Sequence, residues 1–404
     1  MSDKLFEPIK IGNLTLKNCI VRSATFEGMC DDKGFPTNDY HNLYDGLAKN
    51  GIGAIITGFA YVSPCGRAMH PGQAGIDEDD KIPVYKRITD AVHRHDGKIV
   101  MQIAHSGRQT VAKAVGGIVK GASGRRSAYF GSNPKALTTK EAVAAAQQFT
   151  EAALRAKKAG FDGVQLHAAH GYLIHEFILP SLNTRADEFG IDREFGIGTQ
   201  FLKTVIEETR ARCGRDFPVL VKVSASDDYR DSFSQDQFVQ LIRFLDRMAV
   251  DAIEVSYGTM DDALSIFRGE SVPIDTILKH NPRYGTGNAF RRFLRKEIIY
   301  PFVKSRIRMF TPMYNLPDAK ITKKHTRIPV MCVGGFRKRQ EMVDALKNNE
   351  TDLISLCRPF ICEPDFVGKL SRNNSYVSKC VNCNICAVMC DSGRPTRCYL
   401  GKNL

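Results

Sequence analysis

The sequence predicts a (β/α)8 barrel carrying a short cysteine-rich extension. Three observations carry that expectation: eight short apolar stretches rich in β-branched residues, helix-like segments between them, and polar residues gathered at their ends. Apolar strands alternating with helices imply a parallel sheet whose outer face is covered. Eight such units between residues 18 and 358 favour a closed barrel with insertions over a doubly wound sheet, the second-ranked architecture.

The stretches are 18–25 (NCIVRSAT), 54–62 (AIITGFAYV), 98–104 (KIVMQIA), 163–168 (GVQLHA), 219–226 (VLVKVSAS), 251–257 (DAIEVSY), 329–335 (PVMCVGG) and 353–358 (LISLCR). Helical patterns occupy 79–95, 139–159, 196–213, 234–249 and 338–348. Two intervals exceed a minimal barrel. Residues 105–138 follow the third stretch and are rich in Gly, Ser and basic residues; residues 258–328 follow the sixth. Both leave the C-terminal ends of strands, where barrel active sites sit, so each is either a lid or substrate wall, or a decoration without contact.

The 404 residues are 43% hydrophobic and 25% charged, enough for a sizeable core. No apolar run reaches the roughly 20 residues that cross a bilayer, and the opening MSDKLFEPIKIG lacks an apolar signal-peptide core. The expectation is a cytoplasmic protein with no membrane partner. The formal charge is +13, with Lys and Arg spread out except over 291–307. That segment reads as a solvated basic helix, and no aromatic-interleaved motif of a nucleic-acid module accompanies it. The charge suits an anionic small molecule, such as a phosphate or a coenzyme A ester.

Polar residues cluster at the predicted strand tops: Ser23 and Thr25, Gln102 and His105, His167 and His170, Lys222, and Arg358. Any one of them is readable as a satisfied core group; together they read as one site facing one cavity. Gly334 and Gly335 end the seventh stretch and Cys357 and Arg358 the eighth. Glycines let backbone N–H groups approach phosphate oxygens, and arginine adds a fork of charged donors. No Gly-x-Gly-x-x-Gly follows a strand, so a Rossmann domain is not supported.

These residues resemble the Old Yellow Enzyme family of FMN-dependent oxidoreductases, in the branch of the flavin and iron–sulfur half of 2,4-dienoyl-CoA reductase. The resemblance runs through LFEPIKIGNLTLKNCIVRSAT, QIAHSGR (102–108), AGFDGVQLHAAHGYLIHEFILPSLNTRADEFG (159–190), VGG and CRPFICEPDF (357–366). It implies FMN at the barrel mouth, touched by Ser23, Ala24, Thr25 and Gln102, with Lys222 beside flavin N1 and O2. The phosphate falls to Gly334, Gly335, Cys357 and Arg358.

His167 and His170 lie three residues apart. On a straight strand they face opposite ways, so they form a pair only where the fourth strand turns into its helix. Two N–H donors there grip a carbonyl oxygen and stabilise an enolate. The resemblance makes Tyr172 the proton donor and implies a ping-pong reaction: NAD(P)H reduces the flavin, and an activated alkene then takes hydride from N5. Relatives also include dehydrogenases and demethylases that run the other way, and a non-catalytic redox-sensing or scaffold role is a third reading. Two departures stand out. Phe26 sits near a position where relatives carry Thr or Cys, and Cys357 replaces a glycine.

Five of the twelve cysteines crowd into residues 380–404. Cys380, Cys383, Cys386 and Cys390 have ferredoxin-like spacing. The expectation is a 4Fe–4S cluster on Cys380, Cys383, Cys386 and Cys398, with Cys390 as alternative fourth ligand; the resemblance favours the longer gap to Cys398. Zinc or free thiols are the competing readings. The domain expectation is a barrel over 1–375 and a cluster segment over 376–404. In longer relatives the cluster relays electrons from an FAD domain. The expected partners here are a small-molecule substrate and a separate electron-donor protein, unless NAD(P)H acts directly or the tail is structural. A homo-oligomer is left open.

Overall fold

A computed structural model describes residues 3–227, 233–304 and 307–402. Eight strands form the barrel: β1 (Ile20–Arg22), β2 (Ala54–Ile56), β3 (Ile99–Ala104), β4 (Gly163–Ala168), β5 (Val219–Ser224), β6 (Ala252–Ser256), β7 (Val330–Val333) and β8 (Leu353–Leu356). Each pairs in parallel with the next, and β8 returns to β1 through Ile354 opposite Ile20, which closes the sheet.

The barrel helices are α1 (Asn38–Lys49), α2 (Ile82–His93), α3 (Thr139–Lys158), α4 (Gln200–Cys213), α5 (Gln235–Arg247), α6 (Leu316–His325), α7 (Arg339–Lys347) and α8 (Phe366–Arg372). Capping boxes fix the starts of α3 and α5: Thr138 with Glu141, and Ser234 with Gln237. The eight expected strands are present. Helices α1, α6 and α8 were not expected, and α6 falls inside the 258–328 interval, so that insertion ends before the sixth barrel helix. Only Leu316, Ala319 and Thr322 are buried on α6, too small an apolar face to announce a helix.

Strand alternation splits the interior in two. Outward residues such as Val164, Leu166, Val221, Val223, Ile253 and Val255 join the shell packed under the helices. Inward residues of the lowest layer, among them Val100, Leu220, Ala252, Met331 and Leu353, pack together at the barrel bottom. Ile11 and Leu16, from the antiparallel pair Ile9–Ile11 and Leu14–Leu16, belong to that same plug. With the bottom filled by apolar side chains, the inward positions above it are free to be polar.

The basic segment is helical through Ala289–Phe293, Leu294–Ile299 and Tyr300–Lys304, while Ser305 and Arg306 lie outside the described residues. It is not purely basic on its surface: Phe290, Phe293, Ile298 and Ile299 are also exposed. No helix among the described residues is long and apolar enough to cross a membrane.

Candidate active site at the barrel mouth

Above the apolar plug lies a buried polar layer. Lys222 Nζ donates to Ser23 Oγ at 2.9 Å and ion-pairs with Glu254 Oε2 at 3.2 Å. Gln165 Nε2 donates to that same Glu254 oxygen at 3.0 Å, and Gln165 Oε1 accepts from Gln102 Nε2 at 2.7 Å. One chain of contacts thus runs from β1 through β5, β6 and β4 to β3. It fixes the ammonium of Lys222 and the amide of Gln102 before any ligand arrives. Gln165 and Glu254 were not singled out from sequence. Their signal is legible in hindsight: each is a polar residue at an inward position of an otherwise apolar strand.

Over this layer opens a cavity of about 240 Å³. Ala24, Thr25, Gln102, Lys222, His167, His170 and Tyr172 line it, as do Gly334, Gly335, Cys357 and Arg358. Ser23 sits beneath, bonded to Lys222. His105 is not among the lining residues. Its Nδ1 accepts the Gly107 N–H at 3.0 Å and its Nε2 lies 3.6 Å from Cys65 Sγ, so it is a buried turn residue. Both insertions reach the cavity, through Tyr129 from the first and Met260, Ile266 and Tyr314 from the second, so both are walls and not decoration.

His167 is the penultimate residue of β4, and His170 follows in the turn before the short helix Leu173–Ile178. His170 adopts φ +61°, a left-handed conformation that histidine tolerates better than most residues. Its backbone N–H donates to Ser224 Oγ at 3.1 Å, and its Nε2 lies 2.9 Å from Ser256 Oγ. That reversal of the chain brings the two imidazole centroids to 5.0 Å at 79°. Tyr172 packs edge-on against His167 at 4.8 Å and tilted against Phe59 at 5.4 Å.

Burial pushes both imidazoles well below their ordinary range, and the Lys222 charge adds to it. Both are therefore neutral at pH 7, each keeping one N–H to donate. His167 Nδ1 is buried without a hydrogen-bond partner, the kind of orphaned group that a ligand oxygen satisfies. Burial, reinforced by Cys390 and Asp391, holds the Tyr172 phenol above its ordinary value.

At the opposite rim, Gly334 and Gly335 have φ of +138° and +83°. A Cβ on Gly334 would meet the Tyr314 ring at 2.6 Å, and one on Gly335 the Met313 backbone nitrogen at 2.5 Å. Only glycine fits this turn. Arg358 donates to Arg268 O at 2.8 Å and to Asn384 Oδ1 at 2.7 Å, joining the second insertion to the tail.

The tail also reaches over the cavity, which the sequence did not reveal. Asp391 ends the helix Ile385–Asp391. Its Oδ2 accepts from Tyr129 Oη at 3.1 Å and Asn281 Nδ2 at 2.9 Å, and its Oδ1 lies 3.1 Å from His70 Nδ1. One carboxylate thus gathers three loops around the mouth, and His70 packs on Phe26 at 5.1 Å. Cys380, Cys383, Cys386 and Cys398 line a second, smaller cavity with Cys362. Cys390 faces the barrel-mouth cavity instead, and its thiol donates to Ala387 O at 2.9 Å.

Residues 4–276 and 295–375 match the sequence profile of the NADH:flavin oxidoreductase / NADH oxidase family. The chain belongs to that family. An NADPH dehydrogenase of Geobacillus thermodenitrificans is 34% identical over 90% of this chain and 92% of its own. An NADH oxidase of Thermoanaerobacter brockii is 29% identical over 94% of this chain but 53% of its own. A cinnamate reductase of Clostridium sporogenes is also 29% identical, over 94% of this chain and 54% of its own. The chain therefore spans about half the length of these last two relatives.

Among solved structures, a 2-naphthoyl-CoA reductase complex superposes with a TM-score of 0.80 at 21% identity, over 99% of this chain and 57% of the other. An Old Yellow Enzyme homologue from Zymomonas mobilis gives 0.71 at 23%, over 93% and 95%. Both share the barrel. The profile of this flavin oxidoreductase family passes over residues 277–294, which lie in the insertion after β6.

Proposed function

We propose that the protein is an FMN-dependent ene-reductase, reducing a carbon–carbon double bond conjugated to a carbonyl at the expense of NAD(P)H. What carries the reading is one cavity that joins two neutral imidazole donors, a buried phenol and a fixed buried cation. Cinnamate and 2-naphthoyl-CoA, named in two relatives, both hold unsaturation conjugated to a carbonyl.

The residues fit FMN. Ala24, Thr25 and Gln102 would hold its ring; Lys222 would supply a positive charge to it; and the Gly334–Gly335 turn with Cys357 and Arg358 would hold the phosphate. When bound, FMN stores and delivers the hydride. The chain's own residues do the rest. His167 and His170 hold the substrate carbonyl and stabilise the negative charge that grows on it. Tyr172 supplies the proton to the neighbouring carbon. Phe26, Phe59 and Met260 give the cavity an apolar wall that excludes water.

The smaller cavity suits a 4Fe–4S cluster on Cys380, Cys383, Cys386 and Cys398, within a segment 376–404 that serves the barrel of 1–375. Among the described residues no three Cys, His, Asp or Glu close around a single metal position. The cluster would accept electrons from a separate donor protein.

The decisive experiment is a visible spectrum of anaerobically purified protein with flavin and iron quantified, followed by stopped-flow mixing with NADH and NADPH. Bound flavin that bleaches with either nucleotide is expected. A protein left colourless after FMN is supplied would refute the flavin site. Bleaching by neither nucleotide would favour a dehydrogenase or demethylase.

The donor pair makes a separate prediction. The double variant His167→Ala/His170→Gly, with glycine chosen to keep the positive φ, removes two hydrogen bonds to a phenolate ligand. At about 1.5–3 kcal/mol each, phenol affinity should fall on the order of 100-fold or more while FMN stays bound. Titration of the flavin charge-transfer band measures it, and unchanged affinity would dismiss the pair as ligand donors.

A further inference from the structure

Two guanidinium groups converge at the rim of the barrel-mouth cavity, one from each insertion. A Cβ on Gly131 would lie 3.3 Å from Arg283 Nη2 and 3.7 Å from Arg126 Nη2, so both groups reach over the same bare stretch of backbone. Arg283 also packs over the rings of Tyr129 and Tyr284, 5.8 Å from each centroid. Those rings meet edge-on at 6.1 Å, and Tyr129 lines the cavity. Arg283 and Tyr284 belong to the stretch 277–294 that the family profile passes over.

Neither guanidinium has a carboxylate partner among the described residues, and both side chains are exposed. Asp391 shares Tyr129 with them, but its oxygens are taken by Tyr129 Oη, Asn281 Nδ2 and His70 Nδ1. Two like charges so close repel each other, and an anion seated between them reverses that cost.

On the flavin reductase reading above, we propose that Arg126 and Arg283 clamp the ribose phosphomonoester of an adenine nucleotide whose reacting end enters the cavity. A phosphomonoester carries about −1.5 to −2 charges at pH 7 and three acceptor oxygens, which suits two guanidinium forks. A carboxylate is filled by one. The rings of Tyr129 and Tyr284 add an apolar surface beside the clamp for the base. Two coenzymes present this group: NADPH at the ribose 2′ position and coenzyme A at the 3′ position. NADH lacks it. The clamp lies at the rim, away from the His167, His170 and Tyr172 set, so it selects the carrier without touching the reacting atoms.

The test is calorimetric titration of the purified flavin-loaded protein with 2′,5′-ADP, 3′,5′-ADP and 5′-AMP. At least one bisphosphate should bind on the order of tenfold tighter than 5′-AMP, the scale of one charge-assisted hydrogen bond. A gain for either isomer supports the clamp, and the larger gain names the carrier as NADPH or coenzyme A. In the double variant Arg126→Gln/Arg283→Gln, bisphosphate affinity should fall to that of 5′-AMP, with flavin content reporting an intact fold. Equal affinity of all three nucleotides for the wild type would overturn the proposal, and so would a preference that survives the double variant. If the double variant loses flavin, the wild-type titrations and the single variants decide. The reductase reading fails differently: flavin bleached by neither NADH nor NADPH would count against it, whereas these titrations involve no hydride transfer.

Discussion

Tyr172→Phe should slow the alkene half-reaction by about 10²–10⁴-fold, the usual contribution of a positioned proton donor, and leave reduction by NAD(P)H unchanged. The substitution deletes one hydroxyl. The ring keeps its contacts with His167 and Phe59, so the fold and the shape of the cavity are preserved. Nicotinamide oxidation needs no proton from this phenol, which is why the two half-reactions should separate. The protonation state agrees with the role: burial disfavours the phenolate, so the acid form persists past the ordinary tyrosine value near 10. The wild-type alkene step should accordingly show no loss of an essential acid between pH 7 and 10. Anaerobic stopped-flow on each half-reaction measures both effects. Equal slowing of the two half-reactions would mean that Tyr172 positions the flavin or the pocket and does not deliver a proton.

Legibility followed chain distance and periodicity. The eight strands were visible because each is a run of β-branched residues long enough to be buried on its own. The strand-top residues were visible because polar groups ending such runs need a reason. Helix α1 was missed although Tyr40, Tyr44, Leu47 and Ala48 mark a buried face, because Gly46 and several polar residues dilute the pattern. Gln165 and Glu254 carry no strand-end signal, because they lie inside their strands and alternation puts their side chains in the middle layer. His105 was misplaced because the chain turns sharply at Gly107 and carries the imidazole out of the cavity wall. Asp391, His70 and Cys362 had no local signal. Their roles come from the return of the tail over the barrel mouth, a tertiary event that spacing does not encode. The cysteine motif marked where the tail's thiols gather, but not that Cys362 of the barrel lines the same cavity.

The buried ion pair gives the largest expected stability effect. Lys222→Met should destabilise the protein by about 3–5 kcal/mol, as expected when one partner of a buried pair is removed. Lys222 is 3% exposed and Glu254 is fully buried. Methionine fills the aliphatic volume, so a cavity is not the cause. The cost lies in Glu254: its Oε1 already lacks a hydrogen bond, and without Lys222 its Oε2 keeps only the amide of Gln165. A carboxylate so placed has no water to turn to. The same reasoning predicts a rescue. Adding Glu254→Gln to Lys222→Met removes the stranded charge, so the double variant should be more stable than Lys222→Met alone. Urea unfolding of the set at equal flavin occupancy gives the coupling. Simple additivity would show that Lys222 acts by packing alone. A coupled rescue of stability without a return of flavin reduction by NAD(P)H would separate the two duties of this lysine: neutralising Glu254 within the barrel, and presenting a positive charge to whatever ring lies above it.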